Sequence, residues 1–368
     1  MRENSWFNVE NAHEYDSPAL LLFPKRIKEN IHKLVSSIEP GLLRPHVKTC
    51  KIPEVCSLMM EAGISKFKAA TIAEAEMLAM IKAPDVLLAY QPSLPKIKRL
   101  IRLIQTYPET KFSCLVDSAE VAESISDLFE KEKLNAFVFI DLNVGMNRTG
   151  IIPENAVTLY QRIVSLPAIQ FLGLHAYDGH IRDSLFKTRE TLCRQAFEPV
   201  YLLKAALEKI AGHKIILVAG GTPTSFIHAG GGIAECSPGT FVFWDKGYAE
   251  QLPEQPFQFA AVVLSRVISI PSPDKICIDL GYKSIASENP LPRVYFLNSP
   301  EATPFAHSEE HLVLKVQDSG KFKVGDLFYG IPWHICPSVA LFDKALLVEN
   351  NRIMDSWLVL ARNREINI

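Results

Sequence analysis

The stretch ALLLFPKRIKENIHKLVSSIEPGLLRPHV, residues 19–47, holds the architecture in miniature. A short β-rich run, Ala19 to Phe23, meets Pro24, a residue preorganised for the first turn of a helix. In the segment that follows, Ile27, Ile31, Leu34, Val35 and Ile38 fall on one helical face. A second β-rich run, LRPHV, ends the stretch. Strand, helix and strand in this order form the unit of a parallel sheet. The alternation continues to about Trp244 through KFKAA, DVLLAY, FSCLVD, AFVFIDLN, FLGLHAY, IILVAGG and ECSPGTFVF, with a Gly-rich turn region before the last. Counted from LRPHV, these runs supply the eight strands of a closed (β/α)8 barrel of the TIM type. A doubly wound open sheet would carry GxGxxG after its first strand, and none is present.

From about Gln251 the texture changes. AAVVLSRVISI, KICIDLGY, RVYFL, HLVLKV, DLFYGI, ALLVEN and RIMDSWLVLA are short strands with turn residues between them and no helical crossovers, which predicts a C-terminal antiparallel β domain. The run ALLLF is surplus to a barrel of eight and is assigned to that domain. The expected division is 1–24 as an N-terminal strand packing with the C-terminal domain, 25–248 as the barrel and 249–368 as the β domain.

Composition bounds the function. In 368 residues, 48% hydrophobic and 22% charged with a net charge of -2, there is no basic footprint for nucleic acid. No apolar stretch reaches the ~20 residues that span a bilayer; the best candidate, AAVVLSRVISI, is interrupted by Arg266. The start, MRENSWFNVENAHEYDSP, lacks the basic stub and apolar run of a secretory signal. Seven scattered cysteines do not form a disulfide framework, so a cytoplasmic setting is expected.

A (β/α)8 barrel gathers its chemistry at the C-terminal ends of its strands. The first barrel strand ends as RPHVKTCK, which places Lys48 at the rim, partly desolvated and suited to Schiff-base chemistry. A lone lysine is ordinarily a solvated side chain, so its company decides. FIDLNVGMNRTG puts Arg148 in a turn flanked by Gly145 and Gly150, and GLHAYDGH offers His175, Tyr177 and His180. Gly220, Gly221 and Thr222, with Gly239 and Thr240, supply backbone N–H donors and hydroxyls suited to a phosphate at the last strands. Paired glycines alone would be turn residues.

In the second domain, WHIC holds His334 and Cys336, a zinc-type pair that strand alternation would turn to one face. By spacing alone, a buried strand with a core cysteine is the commoner outcome. HSEEH, with His307, Glu309, Glu310 and His311, serves equally as a further ligand set or as a charged turn. Asp245 and Tyr248, just after the second phosphate motif, either enter the site or cap the barrel.

These motifs in this order resemble the D-threonine aldolase/D-serine dehydratase family of fold-type III pyridoxal-phosphate enzymes, with an alanine-racemase-like barrel. The resemblance runs from Ser17 to Ala361 and rests on RPHVKTCK, ATIAEAEML, DVLLAYQP, DLNVGMNRTG, GLHAYDGH, AGGTPTSF, SPGTFVFWD, DLGYKSIASE, HSEEH and WHICPSVALFD. It implies a pyridoxal 5'-phosphate Schiff base on Lys48 beside His46, and phosphate contacts from Gly220, Gly221, Thr222, Gly239 and Thr240. Arg148 and Tyr177 would surround the ring, with Tyr177 also catalytic, and a divalent metal, zinc or manganese, would sit on His334 and Cys336. A head-to-tail homodimer is implied too. Cys50 stands where the family usually has histidine, which removes an imidazole able to take a proton from a substrate hydroxyl.

The expected activity is a lyase reaction on D-3-hydroxy amino acids. Proton removal at Cα by Lys48 leads to dehydration; proton removal from the hydroxyl leads to Cα–Cβ cleavage. The H-x-C pair and Cys50 both lean toward zinc and dehydration. An amino-acid racemase, a non-catalytic pyridoxal-phosphate carrier and, last, a metal-dependent barrel hydrolase are the alternatives.

Overall fold

The computed structural model describes residues 5–368, so the first four residues of the N-terminal segment 1–24 lie outside the described residues. The chain forms two compact units. A barrel unit comprises Leu34–Lys48, Cys56–Gly239 and Asn363–Ile368. A sheet unit comprises the chain up to Lys33, Thr49–Val55 and Thr240–Arg362.

The first strand, β1 (Ala19–Leu22), lies in the sheet unit. The barrel unit holds seven parallel strands, each paired with the next: β2 (Lys66–Ala69), β3 (Asp85–Leu88), β4 (Lys111–Val116), β5 (Ala136–Leu142), β6 (Ile169–Ala176), β7 (Ile216–Ala219) and β8 (Glu235–Cys236). Leu87, Leu115, Phe139 and Val218 are buried together in one cluster of its core. The segment 43–47 closes the circle. Leu43 bridges to Cys236 of β8 and His46 to Lys68 of β2. Backbone hydrogen bonds run from Arg44 N to Cys236 O (2.8 Å), His46 N to Pro238 O (3.0 Å), Val47 N to Lys68 O (2.9 Å) and Lys68 N to Pro45 O (2.9 Å). Pro45 has no N–H to offer, so this eighth stave is held by isolated bridges rather than a full ladder. The run ECSPGTFVF departs from its expected strand. Only Glu235–Cys236 is extended in the sheet, and after Pro238 the chain turns into a 3-10 helix at Thr240–Val242.

The sheet unit carries β9 (Ala261–Ser272), β10 (Lys275–Ile278), β11 (Val294–Phe296), β12 (Thr303–His307), β13 (Leu312–Lys315), β14 (Leu327–Pro332), β15 (Lys344–Glu349) and β16 (Arg352–Leu358). The order is β12-β13-β10-β9-β1-β15-β16, with β14 on β9 and β11 on β14. All pairs are antiparallel except β1 with β15, where Leu20 lies opposite Ala345. Leu21, Phe23, Val262, Leu264, Tyr329, Ile331, Leu346 and Ile353 share one core cluster. Among the described residues no helix is long and apolar enough to cross a membrane.

Candidate active site and metal pair

In the barrel unit the closing stave delivers His46 and Lys48. The Lys48 backbone N–H donates to His46 Nδ1 at 3.4 Å. Burial, then the charges of Lys48 and Lys68, hold this imidazole well below the usual histidine range, which keeps it a neutral acceptor. Three basic side chains lie by the Tyr177 ring: Lys48 Nζ at 6.0 Å from its centre, Lys68 Nζ at 5.6 Å and the Arg148 guanidinium at 5.1 Å. Arg148 comes from an exposed turn whose shape is set locally. The Asn143 side-chain oxygen accepts from the N–H groups of Gly145 and Asn147 (3.0 and 3.1 Å), and both residues have positive φ.

Lys68 belongs to a buried relay. His175 Nδ1 pairs with Asp141 Oδ1 at 2.6 Å and His175 Nε2 with Lys68 Nζ at 3.0 Å. With Nδ1–H donated to the carboxylate, Nε2 is left to accept from the amine. Burial opposes the Asp141 carboxylate, but His175, Thr149 and Lys68 hold its pKa below the ordinary value. Burial, with the neighbouring Lys68, lowers that of His175. Burial, with Lys48, pushes Lys68 down to about 7.

The glycine loop lies behind Tyr177. Gly220 has φ +73°, which favours glycine, and a Cβ on Gly221 would stand 3.0 Å from Tyr177 Cε2. Gly239 N–H donates to Thr222 Oγ1 at 3.2 Å, joining both halves of the expected cradle. A buried trio braces the loop. Asp178 accepts from Thr224 Oγ1 (2.9 Å) and pairs with His228 Nε2 (2.8 Å), with Cys193 Sγ at 3.8 Å. Burial and the Asp178 charge raise the Cys193 thiol pKa above its usual value, so it stays a protonated donor. Asp178, Cys193 and His228 have the geometry of a cation site, but these donors already account for the carboxylate.

In the sheet unit His334 and Cys336 do come together, though not on a strand. His334 is the N-cap of the short helix Ile335–Val339, and Cys336 lies in its first turn. The expected strand alternation is therefore corrected: β14 ends at Pro332, and the buried Asp245 carboxylate accepts the Ile335 N–H at 3.1 Å, fixing the helix start. Burial disfavours the charged His334, but hydrogen bonding and charge from Cys336, Glu288 and Asp245 raise it to about 9. The Thr49 and Thr240 hydroxyls lie 3.1 and 3.5 Å from Cys336 Sγ. Thr240 thus groups with Cys336, one peptide bond after Gly239 in the barrel unit. Asp245 also caps the helix Lys246–Gln251, and Tyr248 stacks on Trp244. His307 is held by Leu280 O and Arg293, and Glu309 and Glu310 pair with Lys283.

The alanine racemase N-terminal domain model matches residues 24–246, more than half of the chain. The chain belongs to that family. A putative serine dehydratase domain model matches residues 260–348. The chain is similar to a D-threonine aldolase of Arthrobacter sp, 26% identical over 357 residues that cover 94% of this chain and 93% of the relative. Among solved structures, D-threonine aldolase from Filomicrobium marinum has a TM-score of 0.88 at 22% identity, covering 98% of this chain and 99% of that one. D-threo-3-hydroxyaspartate dehydratase from Delftia sp. HT23 has a TM-score of 0.78 at 21% identity, covering 95% and 98%. A cysteine-to-alanine mutant of a dehydratase of that name has been solved in a metal-free form.

Within this alanine racemase N-terminal domain member, the barrel unit gathers Lys48, His46, Arg148, Tyr177, Gly220, Gly221, Thr222 and Gly239. His180 is exposed, and His175 turns inward to the relay. Lys68, Asp141, Thr49, Asp178, His228 and Glu288 were not singled out from sequence. For Lys68 and Asp141 a signal exists: each is a charged residue inside an apolar strand, buried at 3% and 5% exposure.

The relay predicts a pH effect. In the unfolded chain Lys68 stays protonated up to about pH 10, whereas in the fold its pKa is about 7. Between these values the unfolded state binds more protons, so stability rises with pH. Urea unfolding of the wild type should gain about 2 kcal/mol from about pH 7 to about pH 9 relative to Lys68→Met. Parallel pH curves for the two proteins would show that Lys68 stays charged in the fold.

Proposed function

We propose that this protein is a pyridoxal-phosphate- and metal-dependent lyase acting on D-amino acids with a β-hydroxyl, with dehydration the favoured outcome. The carrying observation is the Lys48 amine 6.0 Å from the Tyr177 ring, against which a Cβ on Gly221 would crowd at 3.0 Å. That cradle fits the cofactor: Lys48 would hold its carbonyl carbon, Gly220, Gly221, Thr222, Gly239 and Thr240 its phosphate, and His46, Arg148 and Tyr177 the surroundings of its ring. When bound, the cofactor supplies an electron sink for charge developing at Cα. The donor set of His334 and Cys336, an imidazole and a thiol two residues apart at one helix start, fits zinc better than a harder ion, and zinc there would act as a Lewis acid toward the β-oxygen.

The chain's own groups then divide the work. Lys48 Nζ, as a free amine, would take the Cα proton. Arg148 offers a fixed positive charge beside Tyr177, and the Asp141–His175–Lys68 relay holds a proton beneath it. Buried Cys50, in place of the family histidine, leaves no imidazole at that position to take the hydroxyl proton, which favours dehydration. The functional division is proposed as 1–24, 25–248 and 249–368, the protein as a homodimer, and the setting as cytoplasmic.

The test is turnover of D-serine and D-threonine with and without chelator. Keto acid formed in a chelator-sensitive reaction is the expected result; an aldehyde with glycine would shift the assignment to the aldolase outcome. Loss of optical rotation that survives chelation would overturn the lyase in favour of a racemase.

A further inference from the structure

We propose that Glu288 is a positioning residue for the metal pair: its carboxylate accepts the Nδ1 proton of His334 and leaves Nε2 as the ring nitrogen with a lone pair for the ion. The inference rests on the metal reading of His334 and Cys336. Glu288 Oε1 and His334 Nδ1 are in direct hydrogen-bond contact. A neutral imidazole carries one N–H and one acceptor nitrogen, so the partner of Nδ1 determines what Nε2 can do. Metal-bound histidines commonly donate their second N–H to a carboxylate in this way.

The contact is built from both sides. Ser338 Oγ, fully buried, donates to His334 O at 2.8 Å and accepts from Ala286 N at 3.0 Å, tying the loop that carries Glu288 to the backbone of the histidine it faces. At the far end of that loop Arg293 Nε donates to Asn289 O at 2.7 Å, and Trp333 N donates to Arg293 O at 2.8 Å. Asn289 Nδ2 donates to Glu288 Oε1 at 3.3 Å. Together with Asp245 on Ile335 N, these bonds hold the backbone on both sides of His334.

The two side chains retain 40% and 46% exposure, so as an ion pair in water they add little to stability. Orientation and stability therefore separate experimentally. Zinc affinity of the full-length, cofactor-loaded protein is measured by competition with a chromophoric chelator, for wild type, Glu288→Ala, Glu288→Gln and His334→Ala, alongside thermal midpoints of the zinc-free forms. The expectation is a roughly 10–100-fold weaker zinc affinity for Glu288→Ala, a smaller loss for Glu288→Gln, which keeps an acceptor oxygen, and unchanged midpoints. Wild-type affinity in Glu288→Ala would overturn the role of Glu288 and leave the metal reading standing. A midpoint lowered in step with affinity would also overturn it, as a merely structural effect. A wild-type protein that binds no zinc would overturn the metal reading itself.

Discussion

Replacing Lys48 by alanine lowers turnover by about 10⁴-fold or more, since the substitution removes both the attachment point and the Cα base. The two losses can be read separately. The coloured band of a lysine-bound cofactor disappears from the purified variant, and borohydride treatment followed by peptide mapping finds no adduct, whereas the wild type carries one on Lys48. Lys48 is only partly buried at the rim of the closing stave, so the variant keeps its fold and its thermal midpoint moves by no more than a few degrees. The neighbourhood holds one rival amine. Lys68, with its pKa brought down to about 7, would be a competent nucleophile at neutral pH. An adduct on Lys68 with activity retained in Lys48→Ala would therefore reassign the attachment site, while full activity with no adduct on either lysine would sink the cofactor reading.

Removing the metal pair is expected to have the second largest effect. His334→Ala and Cys336→Ser each lose bound zinc and fall about 10³-fold in turnover of D-serine, several kcal/mol of charge stabilisation on the departing oxygen. Exhaustive chelation of the wild type gives the same loss, and added zinc restores the wild type but not the variants. The cofactor band stays intact throughout, because neither substitution alters Lys48 or the glycine loop. Stoichiometric zinc retained by both variants, measured by elemental analysis, would place the ion elsewhere. The Asp178, Cys193 and His228 cluster would then be the first place to look.

What sequence could say here follows the reach of the interactions. The barrel is a repeating local pattern, apolar runs alternating with helical faces, and the family model and solved structures carry the same fold. The positions of Lys48, Arg148, Tyr177 and the glycine loop are tied to strand ends, so they too were legible one element at a time. The last barrel run reads as a strand because Phe241, Val242 and Phe243 are apolar and buried, but after Pro238 the chain turns into a 3-10 helix. The H-x-C spacing is visible in the sequence, but its backbone is a helix start and not a strand. A carboxylate 90 residues away, Asp245, turns the chain into a helix there, and spacing does not reveal that partner. The relay needed closure of the barrel, which brings Lys68 of β2 to His175 of β6, 107 residues apart. Glu288 sits in a loop with no periodicity to mark it.

The chain passes between its two units five times, after Lys33, Lys48, Val55, Gly239 and Arg362. Neither unit is a continuous piece of gene. A recombination that exchanged the C-terminal sheet between relatives at a single breakpoint would leave the first 33 residues and Thr49–Val55 with the wrong parent, and β1 with a foreign β9 and β15 on either side. Lys48 and the residue following it already belong to different units, as do Gly239 and Thr240. An exchange between relatives that keeps each unit whole therefore needs all five crossings matched, not one breakpoint.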